Sequence, residues 1–534
     1  MNSYLRSLCV ALLLSSSLLF ADDAHHHMAG EEVGSVSFPT SCANTVQKQF
    51  EHGVALLHSF EYEMADNEFK QVIQMDPGCA MGYWGRAMSL YHQLWNRPSK
   101  EDLTQGHVFL VKAAALKPKT AREREYIQAL SVFYRDSGIE YHQRTDAYAQ
   151  AMESVYQHNP QDREAAVFYA LSLLGSGPED DPTLANPKKA VAILSKIFAE
   201  DPNHPGVAHY IIHSCDNPAM ASMGLDAARK YAAIAPSSPH AVHMPSHIFA
   251  RLGLWQDDIT SNLAALAAAD KMAAMKMHVM HHRMHSMDFL EYAYLQIGDD
   301  QKAKAEIDNL AQYHKSEIES DYQDYYDEMM TGFNARYTIE RRQWNEALAL
   351  KPVAGAQPRN QVATYWAHAI AAAHLHNATA GHDALADYDR LLAEAKKKDS
   401  KFHMGNGFID EHKEVQAWAA YAQGRNDEAL RLLREVADNQ DKVGKGESDM
   451  PAREMLADVL LDMKQPKEAL AEYEISLKTD PNRFNGLYGA AQAAEMTGAK
   501  QQASAYYAQL LKNCEGVNSD RAELIKARNL VAQK

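Results

Sequence analysis

Cysteine is scarce, five in 534 residues, and no two stand in a Cys-x-x-Cys spacing. That absence excludes zinc ribbons, thioredoxin-like redox sites and c-type haem attachment. Basic charge is also short: 53 Lys and Arg face 70 Asp and Glu, a formal net charge of -17. Nucleic acid and anionic membrane surfaces both need a basic face, so neither is an expected partner. Sustained period-two alternation is missing, which argues against sheets. No His-Glu-x-x-His, phosphate loop, dinucleotide fingerprint or Gly-x-Ser-x-Gly elbow occurs, so no standard catalytic signature is present and any reaction stays unassigned. What the chain does have is 46% apolar residues, ample for a core, together with 26 His and 23 Met.

Met1 to Ala21 reads as a secretory signal. Arg6 precedes an apolar run from Leu8 to Phe20, and small Ala21 suits cleavage. The run is too short to span a bilayer as a helix. The expectation is an exported protein, periplasmic or secreted, with no integral membrane span after cleavage. Cys42, Cys79, Cys215 and Cys514 then remain, and four cysteines allow three pairings. Cys42 and Cys79 flank one expected helical hairpin, which makes that pair the first candidate. Residues 22–45 carry His25, His26 and His27 in a segment with little apolar content, expected as a flexible tail.

Internal period decides the fold. Ala457, Ala469, Tyr473 and Pro481 recur in part as Ala491, Ala503 and Tyr507, each 34 residues later. Gly53, Ala65, Phe69 and Pro77 repeat the internal spacing far upstream, and Ala190, Leu194 and Pro202, then Ala227, Tyr231 and Pro239, are partial copies. Small residues let antiparallel helices approach, the larger residue one turn on fills the gap, and Pro ends the unit. The pattern resembles the tetratricopeptide repeat. It implies an all-α solenoid of helical hairpins, wound as a right-handed superhelix. Gly253, Gly298, Gly424 and Gly498 mark the expected inter-helix turns. Expected breaks lie at 175–187, 351–360 and 439–451, the last a loop inserted between repeats.

Further stretches are similar to a group of exported bacterial tetratricopeptide proteins to which no activity is assigned: Cys79-Ala-Met-Gly-Tyr-Trp-Gly85, His204-Pro-Gly-Val-Ala-His-Tyr210 and His240-Ala-Val-His-Met-Pro-Ser-His-Ile-Phe249. The resemblance implies a fold and an export route, not a reaction. The signal and the repeats together divide the chain into a signal peptide (1–21), an N-terminal tail (22–45), N-terminal repeats (46–203), a His-rich central section (204–400) and C-terminal tetratricopeptide repeats (401–534).

In such solenoids the first helix of each hairpin tends to line the concave surface, so a protein, peptide or envelope component in that groove is the leading expected partner. Three consecutive first helices here carry histidines. His209 and His213, four apart, share a helix face. His240, His243 and His247 follow Pro239, with Pro245 leaving two possible helix starts. Lys271 to Asp288 reads as one helix presenting His278, His281, His282 and His285 beside a Met stripe at 277, 280, 284 and 287. The alternative function is therefore metal binding by His209, His213, His243, His247, His278, His281, His282 and His285, serving storage, carriage or catalysis. Cu and Zn are the expected ions, since imidazole suits both and nearby Met244, Met280 and Met284 would favour Cu(I). Asp216, Asp288 and Glu291 are candidate carboxylate partners. His368, His374 and His376 on an Ala-rich helix, and the Tyr-rich acidic run from Ser320 to Met330, are weaker candidates for the groove wall.

Overall fold

The computed structural model describes residues 32–94, 97–135, 138–178, 181–399 and 405–532. Residues 32–534 form one compact unit. The expected signal segment and His25, His26 and His27 lie outside the described residues.

Among the described residues every regular element is helical. The N-terminal helices are α1 (Gln47–His58), α2 (Tyr62–Met75), α3 (Ala80–Ser89), α4 (Lys100–Ala115), α5 (Ala121–Phe133), α6 (Tyr141–His158), α7 (Arg163–Leu174) and α8 (Ala185–Glu200). The central ones are α9 (Pro205–Cys215), α10 (Ala221–Ile234), α11 (Pro239–His243), α12 (Pro245–Arg251), α13 (Trp255–Ala274), α14 (Met280–Gln296), α15 (Asp300–Leu310), α16 (Gln323–Glu340), α17 (Trp344–Leu348), α18 (Val362–His374) and α19 (Ala378–Lys398). The C-terminal set is α20 (Asn406–Ala422), α21 (Asn426–Val443), α22 (Ala452–Asp462), α23 (Pro466–Thr479), α24 (Phe484–Met496), α25 (Lys500–Asn513) and α26 (Ala522–Ala532). Consecutive helices pack on one another along almost the whole chain, which is the helical-hairpin solenoid that the 34-residue period predicts. No described helix is long and apolar enough to cross a membrane.

The repeat residues do the packing their types suggest. Ala457, Ala469, Tyr473, Ala491, Ala503 and Tyr507 are all buried. A Cβ at Gly489 would lie 2.3 Å from the Tyr473 ring, so only glycine admits that aromatic. The helix-joining turn at Gly253 needs glycine twice over: its φ is +62°, and a Cβ would sit 2.1 Å from the Pro481 carbonyl. Cys42 and Cys79 are joined in a disulfide, tying the segment before α1 to the start of α3, while Cys215 and Cys514 are free and buried.

The histidine-bearing central helices do not line an open groove. Helix α1 packs against α9, and C-terminal segments return to the middle of the chain. Trp255 Nε1 donates to the Asn482 carbonyl at 2.8 Å, and Arg251 donates to the Lys445 carbonyl at 2.9 Å. Phe484 N donates to Gln296 Oε1 at 3.0 Å. The histidines expected on a concave surface are therefore enclosed: His209, His240, His243 and His247 are 0%, 4%, 3% and 8% exposed. Within α14 the expectation also changes. Helix α13 stops at Ala274, Lys276 takes a positive φ of 63°, and α14 starts afresh at Met280.

Candidate metal centre

Four short helices bring the imidazoles together. Helix α9 begins at Pro205, whose missing N–H costs nothing at a first turn. His209 and His213 follow on one face. Ser238 caps α11, its Oγ accepting from Ala241 N at 3.1 Å. Both possible starts around Pro245 are realised: α11 ends at His243, Met244 keeps right-handed helical angles, and α12 resumes with Pro245 at its first position. The face is thus continuous across the proline, and His240, His243 and His247 stay in register. Helix α14 adds His281, His282 and His285.

Two groups of three imidazoles result. Ligand atoms of His209, His213 and His240 all lie within 4.8 Å of one another, as do those of His243, His247 and His285. His209 Nε2 is 3.0 Å from His240 Nε2 and 3.1 Å from His213 Nε2. His243 Nε2 is 3.0 Å from His247 Nε2.

Which nitrogens carry protons follows from the other ends of the rings. His209 Nδ1 lies 2.6 Å from the His58 carbonyl, which can only accept, so Nδ1 holds the hydrogen and Nε2 is a bare lone pair. His243 Nδ1 lies 2.6 Å from Asn262 Oδ1. The Asn262 amide nitrogen is committed to Asp258, donating to its carbonyl and carboxylate at 3.0 and 2.8 Å, which makes Oδ1 the acceptor for His243. His247 Nδ1 donates to Asp216 Oδ2 at 2.9 Å and Glu447 Oε1 at 2.7 Å. In neutral rings, then, His243 and His247 point two lone pairs at each other across 3.0 Å. His209 offers one lone pair to two neighbouring nitrogens, so at most one of its two contacts is a well-formed hydrogen bond. Repulsion of this kind is relieved only by a cation between the nitrogens, a proton or a metal ion.

Burial governs the charge states. Loss of water pushes His209 and His281 down to about 3 and His282 and His285 to about 4. His213, His240 and His243 fall well below the usual imidazole range through burial first and neighbouring imidazoles second. Neutral imidazole is the metal-binding form. His247 goes the other way: burial opposes its charge, but Asp216 and Glu447 outweigh that and raise it to about 10. Arg251 steadies the same carboxylates, with Nε 3.0 Å from Asp216 Oδ1.

A neighbouring cluster shows what a satisfied histidine network looks like. His58 and His204 each place Nε2 2.8 Å from a Glu164 oxygen. Their Nδ1 atoms face Tyr210 Oη at 2.9 Å and Val207 N at 3.4 Å. Every ring nitrogen there has a complementary partner, and the three groups need no ion.

Not all the expected residues join the centre. His278 sits in the turn before α14 with a largely exposed side chain, 3.5 Å from Glu63 Oε2, so the positive-φ break after α13 removes it. His281 and His282 are nearby, with the His282 ring 6.4 Å from His240 and the His281 ring 5.0 Å from Tyr322, but neither belongs to a trio. Met244, Met280 and Met284 are buried in apolar clusters. Asp288 and Glu291 hold Arg336, each at 2.6 Å, and only Asp216 of the expected carboxylates touches the centre. His368 and His374 pack within the α17–α18 region, the latter stacked on Trp344 at 4.1 Å.

His240 lies on the expected helix yet was not among the expected ligands. Glu447, Asn262 and the His58 carbonyl carry no local signature, although Glu447 lies in the stretch 439–451 expected as an inserted loop, of which α21 takes up the residues as far as Val443.

No protein-family model and no curated protein matches this chain. Solved structures that resemble it include a tetratricopeptide repeat protein from Parabacteroides merdae, 14% identical, covering 56% of this chain and 99% of that one with a TM-score of 0.27. Another is the TPR domain of P58(IPK), 14% identical, covering 92% of this chain and 99% of that one with a TM-score of 0.20.

Proposed function

We propose that this chain is an exported metal-binding protein that uses a helical-repeat scaffold to hold transition-metal ions at His209, His213, His240, His243, His247 and His285. One observation carries the reading: six imidazoles from α9, α11, α12 and α14 converge in two trios, each with its ligand atoms within 4.8 Å of one another. Imidazole donors admit Cu, Zn, Fe or Ni. Three protein ligands leave coordination positions open, which suits exchange or catalysis better than a closed structural site. His213 and His285 are partly exposed and give those positions a route to solvent. The Cys42–Cys79 disulfide supports an oxidising compartment, and export predicts a mature N-terminus at Asp22, readable by N-terminal sequencing.

Elemental analysis of untagged protein separates a metal from a proton. Stoichiometric Cu, Zn, Fe or Ni that falls on substitution His213→Ala or His247→Ala supports the reading. Sub-stoichiometric metal that neither substitution changes would sink it.

A second reading keeps the scaffold as a binder of a peptide, protein or envelope component. It rests on a cavity of about 510 Å³ whose lining includes Tyr325, Glu328, Arg336, Trp366, Glu411 and Glu414. Crosslinking in the native compartment tests it: one reproducible partner, lost on Trp366→Ala, favours it, and no captured partner removes it.

A further inference from the structure

We infer that the two histidine trios form a single dinuclear centre, holding two metal ions side by side. The inference rests on the metal-binding reading and adds the number of ions and their coupling.

Each trio is by itself the protein share of an open site, three imidazoles with ligand atoms inside 4.8 Å. Six converging imidazoles therefore provide for two ions. The trios are not separate sites. Helix α11 contributes to both, through His240 and His243 three residues apart on one face. Ring centroids between trios, His213 to His247 at 6.4 Å and His240 to His243 at 6.5 Å, are only 0.1–0.2 Å farther apart than His213 and His240 within the first trio at 6.3 Å. Paired ions in two-metal sites sit about 3.5–4 Å apart and share a bridging oxygen ligand.

The supports are doubled in the same way. The His58 carbonyl orients His209 in the first trio, while Asn262 orients His243 and Asp216 with Glu447 orients His247 in the second. Outer partners of this sort fix the ring face and tautomer of ligating histidines. The chemistry that follows is that of a two-ion clamp on one small ligand, such as hydroxide or a bound diatomic.

The test loads the metal-free full chain with Cu(II), in a background carrying His25→Ala, His26→Ala and His27→Ala, and counts copper and unpaired spins after dialysis. Two Cu(II) per chain are expected, with an integrated electron-paramagnetic-resonance signal well below two spins because neighbouring ions couple. His213→Asn and His285→Asn, at the partly exposed ligands, should each retain one copper and recover its full spin, with unchanged helical circular dichroism as the folding control. One copper in the parent, lost in both variants, overturns the dinuclear centre and leaves single-ion binding standing. Two copper ions giving two full, uncoupled spins also overturn it. No retained copper overturns the two-ion centre, while elemental analysis of the untagged protein judges the metal reading separately.

Discussion

His243 and His247 have their tautomers set by residues far away in the chain. Asn262 claims the Nδ1 hydrogen of His243, and Asp216 and Glu447 claim that of His247, so a cation joining the rings, a proton or a metal ion, must sit between their Nε2 atoms. Removing an anchor without touching a ligand tests this. Asn262→Leu keeps the branched shape of the side chain but loses the acceptor for His243 together with the donor to Asp258, and metal affinity should fall about 10–100-fold, measured by competition with a chelator. Unchanged affinity would show that the tautomer does not matter. The sequence made the i,i+4 pairs legible because both members share one helical face, within α9 for His209 and His213 and across the α11–α12 junction for His243 and His247. It could not reveal their supports: the carbonyl serving His209 is 151 residues away and Glu447 is 200 residues from His247. His278 was misplaced because the Met and His steps continue through a turn that the backbone breaks at Lys276.

At the scale of elements, helix positions were easier to read than helix interruptions. Small-then-aromatic spacing located α22 to α25 because those residues interlock, as Gly489 and Tyr473 do. The insertion after α21 was visible as a lost period, but its purpose was not, since only the folded loop brings Glu447 to Arg251 and His247. Helix α15 offers a separate test. Burial raises Glu306 to about 7, and its Oε2 has no hydrogen-bond partner among the described residues. A raised folded pKa means its contribution is full below the unfolded value of 4.5 and is lost as pH rises through about 7. Glu306→Gln should therefore match the parent near pH 4.5 and be more stable by about 1–3 kcal/mol at pH 8, measured by urea unfolding. A difference that does not change with pH would contradict the assignment.

At the scale of the whole molecule, the solenoid is closed on itself rather than left as an open groove. Arg483, 1% exposed, joins three separate repeats: it reaches Glu454 at 2.9 Å and Glu340 at 2.7 Å, and also donates to Tyr292. Arg483→Leu would leave two carboxylates buried without their cation, and should cost about 3–5 kcal/mol in equilibrium unfolding. A loss under 1 kcal/mol would show that closure depends on other contacts. Period and composition specified the helical hairpins, but closure depends on pairs such as Trp255 with Asn482 that no repeat pattern encodes. That closure turns a row of histidines on neighbouring helices into an enclosed centre. The most direct measurement is an anomalous-difference map from crystals of the protein grown with copper and recorded at the copper edge. Peaks between the Nε2 atoms of His209, His213 and His240, and within the His243, His247 and His285 trio, are the predicted result. A centre free of anomalous density, with His243 Nε2 and His247 Nε2 still in contact, would mean that a proton alone joins these rings and would contradict the account.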